Sequence, residues 1–99
     1  MEKSTPHCKL PVVRALIEAG KVRVTNAAKR GATALGLDLP DMLAVLMALT
    51  PADFYKSMTT HADHRIWQDV YHAETANGDG VYLKLTVIDD VLIVSFKEL

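Results

Sequence analysis

The spacing of apolar positions changes part way along this chain. Before Thr50 they recur every three or four residues, as on one face of a helix; from Tyr55 onward they alternate in twos, as on a strand. Pro11 suits the first helical position, Val13, Leu16 and Ile17 follow at helical spacing, and Gly20 is a natural stop. KVRVT, residues 21–25, reads as a short edge strand. Thr25 can cap a second helix from Asn26 to about Leu35, interrupted by Gly31 and closed by Gly36. Asp38 caps a third helix, with Pro40 in its first turn and Leu43, Leu46 and Met47 on one face. This helix is apolar nearly all round from Met42 to Leu49, which predicts the most buried element. Thr50-Pro51-Ala52-Asp53 repeats the start signal and predicts one helical turn ending near Phe54. Residues 56–60, 66–75, 81–88 and 91–97 then read as four antiparallel strands joined by short loops. The expected fold is α+β: an antiparallel sheet with about three helices packed on one face.

The last hairpin can be registered from the residues. If Asp89-Asp90 forms a two-residue turn, Ile88 pairs with Val91. One face then joins Leu83 to Phe96, Leu85 to Val94 and Val87 to Leu92; the other joins Tyr82 to Lys97, Lys84 to Ser95 and Thr86 to Ile93. Burial of the first set selects this register, since a slip of one residue exchanges the faces. In the preceding strand Trp67 and Tyr71 share the parity of the core, and Gln68, Val70 and His72 share the other. Gln68 and His72 join Tyr82 and Lys84 if the intervening loop holds three or five residues, with a glycine at positive φ. Lys56, Met58 and Thr60 can continue that open surface.

Composition narrows the class. Ninety-nine residues suit one domain, residues 1–99, with one core. The longest apolar run falls far short of the about 20 residues a membrane span needs, and no signal peptide is recognisable. The single Cys8 allows no internal disulfide and fits a reducing compartment, so a cytoplasmic location is expected. The net charge of -1 is not that of a dedicated duplex-DNA binder, which leaves a nucleic-acid role only if the lysines cluster.

Candidate chemistry is densest from Asp53 to Tyr71, where Lys56, Thr59, Thr60, His61, His64, Gln68 and Tyr71 surround the only tryptophan. His61 and His64 match no strong zinc motif, so neither a metal nor another cofactor is expected. A polar face with lysines is also the ordinary solvated side of an antiparallel sheet, and pattern alone does not make it a site.

DFYKSMTT, IWQDVY and VYLKLTVIDDVLIVSFKE, together with MEKSTPH and AGKVRVT, resemble the MqsR toxins of type II toxin–antitoxin systems. The resemblance spans most of the chain and is strongest from Asp53 to Glu98. It implies a RelE-like fold and a metal-independent, ribosome-independent mRNA interferase that cuts single-stranded mRNA at GCU-type sites. It also implies an MqsA-like antitoxin as partner, whose own DNA-binding domain contacts the operator. The family's catalytic positions fall on Lys56, Gln68, Tyr82 and Lys97; Lys84 and His72, which the register argument sets on the same face, are RNA-binding candidates on that ground alone. In such a reaction the 2′-hydroxyl attacks the adjacent phosphate, so a proton must leave one oxygen and reach another. Lysine and tyrosine, with ordinary pKa values of about 10.4 and about 10, need a large downward change to act as a base near pH 7. Lys56 and Lys97 are expected to bind phosphate, with one of them or Tyr82 moving the proton and Gln68 orienting an oxygen. His61, His64 and His72 are the rival acid-base source. The alternative function is a non-catalytic module docking RNA or protein, disfavoured because only Tyr82 among the aromatics has a strong claim to the open face.

Overall fold

Capping explains where the helices begin. A computed structural model describes residues 1–99, with three α-helices: α1 Leu10–Glu18, α2 Asn26–Ala34 and α3 Leu39–Met47. Pro11 sits in the first turn of α1, where a missing amide hydrogen breaks no helical bond. The Thr25 side chain accepts from the Ala28 amide and starts α2. Asp38 and Asp41 form a reciprocal capping box on α3, with the Asp41 amide 3.0 Å from Asp38 Oδ1 and the Asp38 amide 3.0 Å from Asp41 Oδ2. Thr50 and Asp53 repeat the device on the single 3-10 turn Pro51–Asp53.

Six strands complete the fold: β1 Glu2–Lys3, β2 Val22–Val24, β3 Phe54–Thr59, β4 Trp67–Glu74, β5 Gly80–Ile88 and β6 Asp90–Glu98. They form one sheet in the order β1-β3-β4-β5-β6-β2. The sheet is antiparallel, as expected, except at one edge, where the short strand β2, expected there without a direction, runs parallel to β6. β1 was not visible as a strand; its two residues pair with Met58 and Ser57 at the other edge.

The helices lie on the face carrying Tyr71, Ala73, Leu83, Leu85, Ile93 and Phe96, which join Val13, Ala28, Ala32, Met42 and Leu46 in one continuous core. The third helix is not the most enclosed element. Met42, Val45 and Leu46 are buried, but Leu39, Ala44 and Ala48 face water, because a helix lying on a sheet has only one side to bury. α2 approaches β6 so closely that a Cβ built on Gly31 would lie 1.8 Å from the Phe96 carbonyl oxygen. No helix is long and apolar enough to cross a membrane.

The β5–β6 register is half as expected. Tyr82↔Lys97, Leu83↔Phe96 and Lys84↔Ser95 hold, but a bulge at Val94 shifts the rest to Leu85↔Ile93, Thr86↔Leu92, Val87↔Val91 and Ile88↔Asp90. The two-residue turn is replaced by a tighter reversal with Asp89 at φ 66. Apolar burial drives the correction: the extra residue lets Phe96, Ile93 and Val91 all face the core, each at most 1% exposed. Val94 contributes a carbonyl that the ladder no longer uses, and the Thr25 hydroxyl donates to it at 2.8 Å while capping α2. In the β4–β5 connection five residues separate the paired Glu74 and Gly80, with Gly78 at φ 85, as the parity required.

Trp67 shares the core parity of Tyr71, yet the N-terminal segment covers it rather than a helix. The His7 ring stacks on it at 5.7 Å, and Lys3 Nζ lies 4.1 Å from its ring centroid. Asp69, 2% exposed and two residues further on, fastens the same segment. Its carboxylate accepts the backbone amides of His7 and Cys8, both at 2.9 Å.

Candidate active site

The face opposite the helices is a ladder of rows running across the strands. One row reads Lys56, Val70, Lys84, Ser95; the next reads His72, Tyr82, Lys97. Directly paired residues point to the same side of a sheet, so register places these groups together. Val70, paired with both lysines, is 0% exposed, and Lys56 and Lys84 are themselves half-buried.

Tyr82 is the centre of the second row. Lys97 Nζ lies 5.1 Å and Lys84 Nζ 6.0 Å from its ring centroid, within reach of a cation–π contact. His72 lies on its other side, with ring centroids 6.1 Å apart. A bulge between Phe54 and Lys56 adds Tyr55, whose ring stacks on His72 at 4.3 Å and 19°. Tyr55 is 54% exposed, so the open face carries a second aromatic that alternation did not assign to it. The adjacent apolar residues Phe54 and Tyr55 break the period of two, and that break is the only signal in the sequence.

The lysines differ in their company. Lys56 Nζ donates to Glu2 Oε1 at 2.7 Å, and this hydrogen bond and the carboxylate's charge hold the ammonium above the ordinary lysine range. Lys84 has no carboxylate. Burial lowers its pKa first, and the charges of Lys97 and Lys56 lower it further. Glu2 was missed because nothing at its position announces a partner 54 residues away.

The structure therefore brings Lys56, His72, Tyr82, Lys84 and Lys97 together, and sets Gln68 apart. Gln68 pairs with Met58, one row beyond Lys56 and two rows beyond Tyr82. At about 3.3 Å per strand residue, that is about 7 Å and about 13 Å along the sheet. His61 and His64 are exposed in the β3–β4 loop, past the Gln68 end of the surface and away from Tyr82 and Lys97. Thr59 and Tyr71, counted among the polar candidates, are buried instead; Thr59 Oγ1 accepts from the N-terminal ammonium at 3.1 Å. The Tyr71 hydroxyl has no partner in the core, and burial, followed by the Asp69 carboxylate, pushes its pKa to about 12.

A surface with three lysines, a phenol and an imidazole in two adjacent rows across β3 to β6 suits an anion carrying ionisable oxygens, as a phosphodiester does. The chain as a whole is slightly acidic, so this is local sorting of charge rather than composition. Residues 5–98 match the family described as Motility quorum-sensing regulator, toxin of MqsA. The chain is also 57% identical over 98 residues to mRNA interferase toxin MqsR of Escherichia coli (strain K12), covering 99% of each sequence. With both matches running nearly end to end, the protein belongs to the MqsR toxin family.

Proposed function

We propose that this protein is the toxin of a type II toxin–antitoxin pair and acts as an endoribonuclease on single-stranded mRNA in the cytoplasm. The observation that carries the reading is the Tyr82–Lys97 pair beside Lys84 and Lys56 on an open sheet face, in a chain so close to a protein named mRNA interferase toxin. The 2′-hydroxyl attacks the adjacent phosphorus, a P–O2′ bond forms, and the P–O5′ bond breaks. Lys56 and Lys97 grip the phosphate oxygens and stabilise the charge that develops on them. Tyr82 donates a hydrogen bond to the same group. The exposed Tyr55 ring, backed by His72, offers a flat surface to an unstacked base, a contact worth about 1–3 kcal/mol. Gln68, two rows from Tyr82, suits a neighbouring nucleotide better than the phosphate under attack. The family's GCU preference and an MqsA-like antitoxin belong to the same reading.

Incubation of a defined RNA with the purified protein in EDTA, with cut sites mapped by primer extension, tests it. Cleavage clustered at GCU-type sites is expected, with a 5′-hydroxyl on the downstream fragment. Folded Tyr82→Phe and Lys97→Ala variants should cut more slowly in single turnover, by about 10²-fold or more. Wild-type rates in both would remove these residues from the chemistry.

A further inference from the structure

The three lysines of the open face are chemically unequal, and the inequality is built by position. Lys56 stands at the β3 side of its row with a carboxylate 2.7 Å away. Lys97 lies on β6 and is exposed to solvent. Lys84 occupies the middle of the surface, on β5, paired through Val70 toward Lys56 and directly with Ser95. Its surroundings from every neighbouring strand are Lys56 on β3, His72 and Val70 on β4, Tyr82 on β5, and Ser95 and Lys97 on β6. Two of those groups are cations and none is a carboxylate; the one acid in the cluster, Glu2, is engaged by Lys56.

We propose that Lys84 is the residue that takes the proton of the 2′-hydroxyl, while Lys56 and Lys97 remain fixed positive charges. The assignment rests on the nuclease reading above and sharpens it. In this step the neutral Lys84 amine accepts the 2′-hydroxyl proton as the P–O2′ bond forms. The bond to the 5′-oxygen then breaks, and the proton returns from the Lys84 ammonium to that oxygen, so no other reagent is consumed. The environment supports the direction of transfer. In the free protein, burial and two neighbouring ammonium groups disfavour a third positive charge at Lys84. As negative charge builds on the phosphate oxygens, the same position comes to favour one. A lysine with its own carboxylate, as at Lys56, is held charged throughout.

Lys84→Arg separates charge from proton transfer, because a guanidinium still binds phosphate but does not give up its proton. Binding is read by fluorescence anisotropy with an RNA carrying a 2′-deoxy sugar at the attacked position. Cleavage is read in single turnover between pH 5.5 and 9.5. The Lys84→Arg variant is expected to bind within about threefold of wild type and to cut about 10²–10⁴-fold more slowly. The wild-type rate should rise with pH along a limb that the variant lacks. Lys84→Ala provides an independent measure: added small primary amines should restore part of the rate, in an order set by their basicity. Cleavage by Lys84→Arg within tenfold of wild type, or an unchanged rising limb centred near about pH 6.5, would overturn the assignment, the latter in favour of His72. If wild-type protein leaves the RNA intact, the nuclease reading itself falls and the assignment with it.

Discussion

Gly31→Ala is a substitution on which two general effects disagree, and the structure decides between them. Within a helix, replacing glycine by alanine is worth about 1 kcal/mol in favour of the variant. At Gly31, however, the new Cβ would sit 1.8 Å from the Phe96 carbonyl oxygen, 2.9 Å from its carbonyl carbon and 3.3 Å from Lys97 Cβ. An ordinary carbon–oxygen contact is about 3.3 Å or longer, so α2 and β6 must separate by about 1.5 Å. The obstructing atoms are main-chain, and β6 is held by its ladder to β5 at Leu83↔Phe96, so the strand cannot step aside cheaply. Moving the helix instead strips contact from Ala28 and Ala32, 0% and 1% exposed against the sheet. Overpacking costs about 1–3 kcal/mol and can exceed that when backbone must move. The upper end applies here, leaving a net loss of about 2 kcal/mol after the helix gain, or about 10 °C in Tm for a chain of this size. Urea unfolding followed by Trp67 fluorescence measures it. Thr33→Ala, at an exposed position of the same helix, should be stabilised by a few tenths of a kcal/mol from propensity alone. A Gly31→Ala midpoint equal to or above wild type would refute the reasoning. RNA cleavage should fall as well, because Lys97 follows the carbonyl that is displaced.

Three further outcomes follow from contacts away from α2. Tyr71→Phe removes a buried hydroxyl without a partner and should leave stability at pH 7 unchanged or raise it by about 1 kcal/mol. Because the folded pKa of about 12 lies above the ordinary value of 10.0, the tyrosine's contribution is complete below pH 10 and is lost as pH rises through 12; the Phe variant should show a shallower alkaline decline in Tm, and an identical decline would count against the buried phenol. Asp69→Ala deletes the acceptor for the His7 and Cys8 amides and should cost about 3 kcal/mol, with faster hydrogen exchange at those two amides as the local signature. Glu2→Gln should leave the unfolding midpoint in place but lower KM for RNA several-fold at low salt, a gain that shrinks as ionic strength rises, since Lys56 then has one competitor fewer for phosphate; an unchanged KM at low salt would exclude that competition.

The elements that could be read from sequence are those whose cause is local. Asp38 with Asp41, Thr25 with the Ala28 amide, and Thr50 with Asp53 are neighbours three residues apart, and each helix start fell where these residues put it. The odd length of the β4–β5 loop and its glycine at positive φ were legible for the same reason, though the choice of five residues over three was not. What escaped depends on residues far apart in sequence. Gly31 looks like a defect in α2 until β6 is laid against it 65 residues later. The Val94 bulge cannot be seen in a strand of uniformly apolar residues, LIV, where alternation carries no information and three-dimensional burial chooses which of them turn inward.

The open face shows the same division between local and distant causes, with a consequence for its chemistry. Parity placed Gln68, His72, Tyr82, Lys84 and Lys97 on one side of the sheet and left Lys56 undecided; the structure keeps those five there and adds Lys56 through its pairing with Val70. Their grouping within that side is a matter of row: His72, Tyr82 and Lys97 share one, Lys56 and Lys84 the next, and Gln68 stands beyond both. Alternation fixes a face but says little about position along it, which is why Gln68 and the lysines look equivalent in sequence. The chemical difference between Lys56 and Lys84 is set at a still longer range, by a carboxylate on the first strand that reaches one and not the other. With that contact in place the Glu2 hydrogen bond and charge raise the pKa of Lys56, while burial and the charges of Lys97 and Lys56 lower that of Lys84. The N-terminal segment that supplies Glu2 is itself tied down by Asp69 and stacked on Trp67, residues whose side chains face the opposite side of the sheet. The one carboxylate paired with a lysine of the open face is thus carried by a segment fastened on the core face.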